Sequence, residues 1–301
     1  MKKNMLSAVL LLSGLILLGT PAQAFAQRHN PSAGEQTSGS EAKLKGDGTE
    51  RSPYLISTER ELRQAGRGQY SGGAYYQLKK DISLSEGAWE PIPTFSGVFD
   101  GNGCKISNIR INSSKDNDYV GFFYSNTGTV KELGADVNIN STAAHSSAGG
   151  LAGYNSGSIT QCYSTGAVSS SGYCAGGLVG ANTGSISNCY SLADVRASDN
   201  TFAGGLAGAA SERSDISFCY AAGRIKAKNN KGGIAGYVYS GRIKDCYYNK
   251  NEIGSVTNNE GTGLSSNDMK KKENFRNWDF FRIWGVSRRN NGGYPYLQSF
   301  V

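Results

Sequence analysis

A five-residue segment that returns at an almost fixed interval constrains this chain more than any other feature. Gly149-Gly150-Leu151-Ala152-Gly153 recurs as Gly176-Gly177-Leu178-Val179-Gly180, as Gly204-Gly205-Leu206-Ala207-Gly208 and as Gly232-Gly233-Ile234-Ala235-Gly236. Successive starts lie 27, 28 and 28 residues apart. Each copy is followed by an Ile-x-x-Cys-Tyr step, running from Ile159 to Tyr163, Ile186 to Tyr190, Ile216 to Tyr220 and Ile243 to Tyr247. A fixed period of this size marks repeats that stack on one another.

The composition of a unit names the kind of stack. Apolar residues are few and evenly placed, with Gly, Ser and Asn between them. Glycine makes up 41 of 301 residues without a period of three, which suits sharp corners and close backbone approach rather than a collagen helix. Short strands separated by such corners fit the coils of a parallel β-helix, an all-β solenoid. A unit of this length is expected to hold three strands plus turns, with coils about 4.8 Å apart. Columns aligned by the repeat agree. Val130, Ile159, Ile186, Ile216 and Ile243 form a β-branched ladder. Leu133, Cys162, Cys189, Cys219 and Cys246 form a second, which Leu133 marks as buried and apolar, with Cys104 and Cys174 outside it. Asp194 precedes Arg224, and Asp215 precedes Arg242, in columns that place opposite charges on neighbouring coils.

Weaker units lead the clear ones, at Gly121 to Val130, at Phe95 to Ile109 and at Tyr75 to Leu84, the last taken as the first coil. Six to seven coils are expected. Exposed strand edges at the two ends need covers. Thr58-Glu59-Arg60-Glu61 has the form of a capping box opening a short helix through about Ala65. Asn267 or Asp268 is placed to cap a helix over Met269 to Phe275. The aromatic tail from Trp278 to Tyr296 has the apolar area to close the last coil. The chain divides into a signal peptide (1–26), a flexible leader (27–43), an N-terminal cap with the first coil (44–94), the repeat stack (95–250) and a C-terminal cap (251–301).

The signal peptide is read from Lys2 and Lys3, the apolar run Met5 to Leu18, and small-residue cleavage sites near Ala24 and Ala26. The run is short for a membrane span, so the expectation is a secreted, cell-surface or periplasmic protein with no stable membrane insertion. Losing residues 1–26 lowers the formal charge from +7 to +5. Such a mild excess suits acidic polymers or headgroups. No run of Lys and Arg interleaves with aromatics, so nucleic acid is not an expected partner.

The Gly-Leu-any-Gly core, here Gly150-Leu151-Ala152-Gly153, Gly177-Leu178-Val179-Gly180 and Gly205-Leu206-Ala207-Gly208, resembles the GLUG motif. The Ile-x-x-Cys-Tyr step, the lead-in Gly48 to Thr58, Phe99-Asp100-Gly101-Asn102-Gly103 and the closing Gly293-Tyr294-Pro295-Tyr296-Leu297 strengthen that resemblance, which covers about 44–298. The fourth copy departs from it, with Ile234 for Leu. The resemblance implies an exported bacterial β-helix of a kind that accompanies immunoglobulin-A-specific metallopeptidases and haemagglutinin-like adhesins as an accessory module. The peptidase site does not carry over. The chain has two histidines, His29 and His145, and no His-Glu-x-x-His.

No catalytic set and no cofactor are expected. The ladder cysteines read as buried reduced thiols, because stacked side chains run parallel rather than converging to disulfide distance. Asp116 and Asp118 sit in a polar loop that lacks the spacing of a calcium loop. The candidate ligand-binding residues are Tyr163, Tyr190, Tyr220 and Tyr247. If each Cys points inward, the next residue points outward, and four phenol rings would line one face. They could grip a glycan or a surface or matrix protein, or stack on one another and shield the sheet. Asn126, Asn155 and Asn182 form a corner column read as an internal amide ladder. The leading expectation is a non-enzymatic, adhesin-like binding module. A carbohydrate-active β-helix, lyase or hydrolase, and a structural envelope protein are the alternatives.

Overall fold

A computed structural model describes residues 43–301 except Glu86 and Glu212. The expected signal peptide and nearly all of the expected leader lie outside the described residues. The described chain is a parallel β-solenoid: 24 of the 25 strand pairings run parallel, and the antiparallel one joins Trp284–Gly285 to Tyr296–Leu297 near the C-terminus. The coils build three stacked sheets of 16, six and five strands.

The columns read from the repeat are the registers of those sheets. Val130, Ile159, Ile186, Ile216 and Ile243 pair in succession, and all but the terminal Ile243 are fully buried. The ladder extends forward through Phe99 and Tyr76 to Tyr54. Stacking therefore begins at Tyr54–Ile56, one turn before Tyr75 to Leu84, the first coil expected from the repeat.

A complete coil holds four short strands rather than three. Ser147–Gly149, Ala152–Asn155, Ser158–Thr160 and Tyr163–Ser170 make up one such coil. The extra break falls inside the Ile-x-x-Cys-Tyr step. The residue just before Leu133 and before each cysteine of its column is left-handed: Glu132, Gln161, Asn188, Phe218 and Asp245 have φ between 49° and 55°. A single left-handed residue turns the strand sharply, and Asn and Asp tolerate that conformation best.

This corner also explains the cysteines. The Cys162 amide donates to the Cys189 sulfur at 3.3 Å, and the Cys189 amide to the Cys219 sulfur at 3.3 Å. The thiols of Cys162, Cys189, Cys219 and Cys246 donate to the carbonyl two residues earlier, at 3.1–3.3 Å. Cysteine is thus small, apolar and still able to serve a bent backbone. Cys104 pairs with Leu133, so it heads this column rather than lying outside it. Its position was obscured by two irregularities of register in the long strand Val98–Ser113. All six cysteines are free and buried. Burial pushes the thiols of Cys162, Cys219 and Cys104 up, and that of Cys174 to about 12. A disulfide reagent is expected to leave the native protein largely unlabelled and to find six thiols per chain in denaturant without reductant. A smaller number would mean disulfides.

The glycines of the motif let two sheets meet backbone to backbone. A Cβ on Gly149 would lie 2.3 Å from the Gly180 nitrogen and 2.4 Å from the Ala152 carbonyl oxygen. The sheet through Ser147–Gly149 therefore lies directly on the sheet through Val179–Asn182, with no side chain between them at this point. Side chains fill the space beside this contact. Tyr119 stacks on Tyr154 at 5.0 Å, and Phe202 meets Tyr237 at 4.8 Å.

The Asn column is an amide ladder. Asn126 Nδ2 donates to Asn155 Oδ1, and Asn155 Nδ2 to Asn182 Oδ1, each at 2.7 Å. Asn182 Nδ2 continues to Ser214 Oγ at 2.6 Å. Asn155 is fully buried, so Asn155→Leu would break the ladder on both sides. It would leave the Asn182 side-chain carbonyl oxygen without its donor, and Asn126 with only its longer bonds to the Gly128 and Ser158 carbonyls. The expected cost is about 3 kcal/mol, measurable by denaturant unfolding.

At the front, the capping box forms as read. Glu61 N donates to Thr58 Oγ1 at 3.2 Å and Thr58 N to Glu61 Oε2 at 3.0 Å, opening a helix over Glu59–Leu62. At the back, the expected helix over Met269 to Phe275 is instead two 3-10 turns, Asp268–Lys270 and Lys272–Asn274. Asn267 makes no side-chain cap. Ser265 takes that place, accepting from the Asp268 amide at 3.1 Å and donating to its carboxylate at 2.7 Å.

Candidate ligand-binding surface

The tyrosine column exists, but it is not an open face. Tyr163 stacks on Tyr190 at 4.9 Å and Tyr190 on Tyr220 at 5.0 Å, with ring planes within 9°. Tyr190, Tyr220 and Tyr247 are at most 6% exposed. The C-terminal segment lies over them. Phe275 and Trp278 pack on Tyr247, Trp284 on Tyr190 and Tyr220, and Phe300 edge-on against Tyr163 at 4.8 Å. Their hydroxyls serve the same cover: Tyr220 donates to the Pro295 carbonyl at 2.7 Å, and Tyr247 accepts from the Arg276 amide at 2.8 Å. Burial raises the phenol of Tyr163 to about 12 and pushes those of Tyr190 and Tyr220 up further. The expectation of four solvent-facing rings is corrected. Strand alternation does point them away from the main core, and the aromatic tail then makes a second core there.

A cleft lies where this cover meets the last coil. Ile243, Asp245, Tyr247, Thr262, Glu273 and Arg276 line it. Asp245 accepts a hydrogen bond from Asn277 at 3.2 Å.

The polar surface of the coils is organised by register. Among the described residues, four ion pairs within the stacked sheets join neighbouring coils with the same order: Asp100 with Lys131 at 3.1 Å, Asp194 with Arg224 at 2.7 Å, Asp199 with Lys228 at 3.2 Å, and Asp215 with Arg242. In those four, the acid stands on the earlier coil and the base on the later one. Near the front, Arg67 meets Glu90 of the next coil at 3.9 Å in the reverse order. Asp194 is held below the usual carboxylate range: partial burial opposes ionisation, and the hydrogen bonds from Arg224 outweigh it. Asp116 and Asp118 are also engaged, with His145 Nδ1 at 2.8 Å and Ser113 Oγ at 2.7 Å. Among the described residues no three His, Cys, Asp or Glu side chains group as metal ligands.

One strand face stays open across five coils. Its inward residues Ile111, Ile139, Val168, Val195 and Ile225 are buried. Its outward residues form two columns. Arg110, Asn138, Ala167, Asp194 and Arg224 follow one another in the first, and Asn112, Asn140, Ser169, Arg196 and Lys226 in the second. Seven of these ten are exposed; Ala167, Ser169 and Asp194 are half-buried. Neighbouring residues within a column are about one strand spacing apart, near 4.8 Å. The face is flat, rich in amide and guanidinium groups, and carries no aromatic ring. The sequence does hold a signal for it. A small or polar residue, Ile or Val, and a second small or polar residue recur around positions 111, 139, 168, 195 and 225, a weaker pattern than the Gly-rich and Cys-Tyr steps.

Known proteins bear on the fold and the repeat. The GLUG motif matches at residues 144–169 and 171–196. A candidate Gly-rich membrane protein of Evansella cellulosilytica is 34% identical over 90 residues, 27% of this chain and 10% of that one. Halomucin of Haloquadratum walsbyi is 29% identical over 139 residues, 43% of this chain and 2% of its own length. The chain thus spans a small part of the curated relatives it matches. The crystal structure of a candidate immunoglobulin A1 protease from Bacteroides ovatus superimposes with a TM-score of 0.64 at 21% identity, covering 84% of this chain and 94% of that one; that likeness shows the fold. Repeat, register and structural neighbour agree that the chain carries GLUG-motif repeats within a parallel β-solenoid.

Proposed function

We propose that this protein is an exported, non-enzymatic binding module for a glycan or another cell-surface component. The observation that carries the reading is the open strand face. Amide and hydroxyl groups offer both donors and acceptors on a rigid, regularly spaced surface, and the carboxylates of Asp194 and Asp199 are tied to bases of the next coil. Fixed polar groups on a stiff scaffold are what a repetitive ligand needs, since little ordering is lost on binding. The names of the relatives, a membrane protein and halomucin, support a place at the cell surface. No helix among the described residues is long and apolar enough to cross a membrane.

The test is an array of glycans and matrix proteins, probed with the wild type and with Asn138→Ala/Asn140→Ala. Both asparagines are exposed, so the double variant should fold. The reading expects binding by the wild type and its loss in the variant. Absence of binding to every component would overturn it.

A second reading rests on the terminal cleft, where Asp245 and Glu273 share one wall-lined space with Arg276. Two carboxylates are the minimum set for glycoside hydrolysis. Release of reducing ends from polysaccharides, abolished by Glu273→Gln, would favour an enzyme. Absence of product would leave the binding module.

A further inference from the structure

The charges of this chain are not spread evenly along the stack. Residues 43–136 hold 12 Lys and Arg against 12 Asp and Glu. Residues 137–193 hold no Asp, Glu, Lys or Arg. Residues 194–221 hold two basic residues against four acidic ones, and residues 222–301 hold 14 against six. Four ion pairs between coils place the acid first and the base one coil later. The open face runs from the uncharged stretch onto two strands where its own bases outnumber its acid. Its middle strands offer Asn138, Asn140 and Ser169, and its last two strands Arg196, Arg224 and Lys226.

At that basic end one pairing is unfavourable as it stands. Arg196 and Lys226 are direct register neighbours, and both are exposed. Like charges directly opposite each other destabilise a sheet. Asp194 answers only part of this charge, because Arg224 holds it with two hydrogen bonds at 2.7 and 3.1 Å and a third from its amide at 3.0 Å. Glu252 acts on Arg224 as well, so both nearby acids are engaged on the Arg224 side and neither pairs with Arg196 or Lys226. An anion set over Arg196 and Lys226 would relieve the repulsion and could accept charge-assisted bonds from both.

Resting on the binding-module reading above, we propose that the ligand of the open face is an acidic polysaccharide. It would lie along the stack axis, its hydroxyls on Asn138, Asn140 and Ser169 and its carboxylate or sulfate groups on Arg196 and Lys226. A chain of alternating hydroxyl and anionic groups matches a strip that passes from amides to bases. A lipid surface matches it less well, because the strip has no exposed apolar or aromatic side chain to enter a bilayer.

The test measures binding of the purified protein to polygalacturonate, to neutral dextran and to anionic phospholipid vesicles, at low and at raised salt. The variant is Arg196→Gln/Lys226→Gln, checked for an unchanged circular dichroism spectrum. The expected result is preferential binding to polygalacturonate, weakened by salt and reduced about tenfold or more in the variant. Equal binding by wild type and variant, no preference over dextran, or a preference for vesicles would each overturn the proposal. Binding to dextran or to other array glycans that the variant leaves unchanged would keep the binding module and remove the acidic ligand. Failure to bind any glycan would remove both.

Discussion

Replacing Gly149 by alanine is expected to destabilise the protein by about 3 kcal/mol or more, the upper range for overpacking a rigid site. The added methyl would sit 2.3–2.5 Å from the Gly180 nitrogen, the Ala152 oxygen and the Val179 carbonyl carbon. These are backbone atoms of hydrogen-bonded strands, so none can swing aside as a side-chain tip would. The two sheets would have to part along the stack. Gly73 is the control, since a Cβ there meets nothing within 4 Å, and Gly73→Ala should change stability little. Urea unfolding of the three proteins gives the comparison. A Gly149→Ala protein as stable as the wild type would mean that the sheets are not packed backbone to backbone.

Truncating Trp284 to alanine should cost about 4 kcal/mol, as for other buried aromatic residues, and should free the closing segment. Trp284 is fully buried and lies 6.0–6.2 Å from the Tyr190 and Tyr220 rings and 4.3 Å from Trp278. Its indole nitrogen reaches Asn188 Oδ1 at 3.3 Å. The segment it anchors runs back along the tyrosine column from Tyr247 to Tyr163, and its Ser299 carbonyl passes close over Gly103. Without the anchor, near-ultraviolet circular dichroism should weaken and proteolysis should enter residues 265–301 first. The far-ultraviolet β signal should survive, because the sheet registers do not depend on this segment. Wild-type resistance to protease would contradict the view that the aromatic tail is docked through Trp284.

The stack was legible because a solenoid writes its register into the sequence. The Ile, Cys and Asn columns and the Asp215–Arg242 pair needed only the period. Features that break the period were not legible. The left-handed corner at Gln161 or Phe218 has no glycine to announce it, so three strands were expected where four occur. Cys104 lost its place because its strand carries register shifts. The fate of the tyrosine column was the largest difference. Alternation tells which way Tyr190 points, but not that Trp284, more than ninety residues later, will cover it. The open face was overlooked for the opposite reason. Its triplets, such as Asn138-Ile139-Asn140, look like any amphipathic strand, and only the packed structure tells which outward face stays uncovered.

Lysine acylation footprinting in the presence of polygalacturonate tests most directly that this face carries the ligand. Lys226 should be protected, while Lys79 and Lys80, exposed on other parts of the molecule, should react as in the free protein. Protection of Lys270, Lys271 and Lys272 beside the closing segment with Lys226 still reactive, or no protection at any site, would contradict the account.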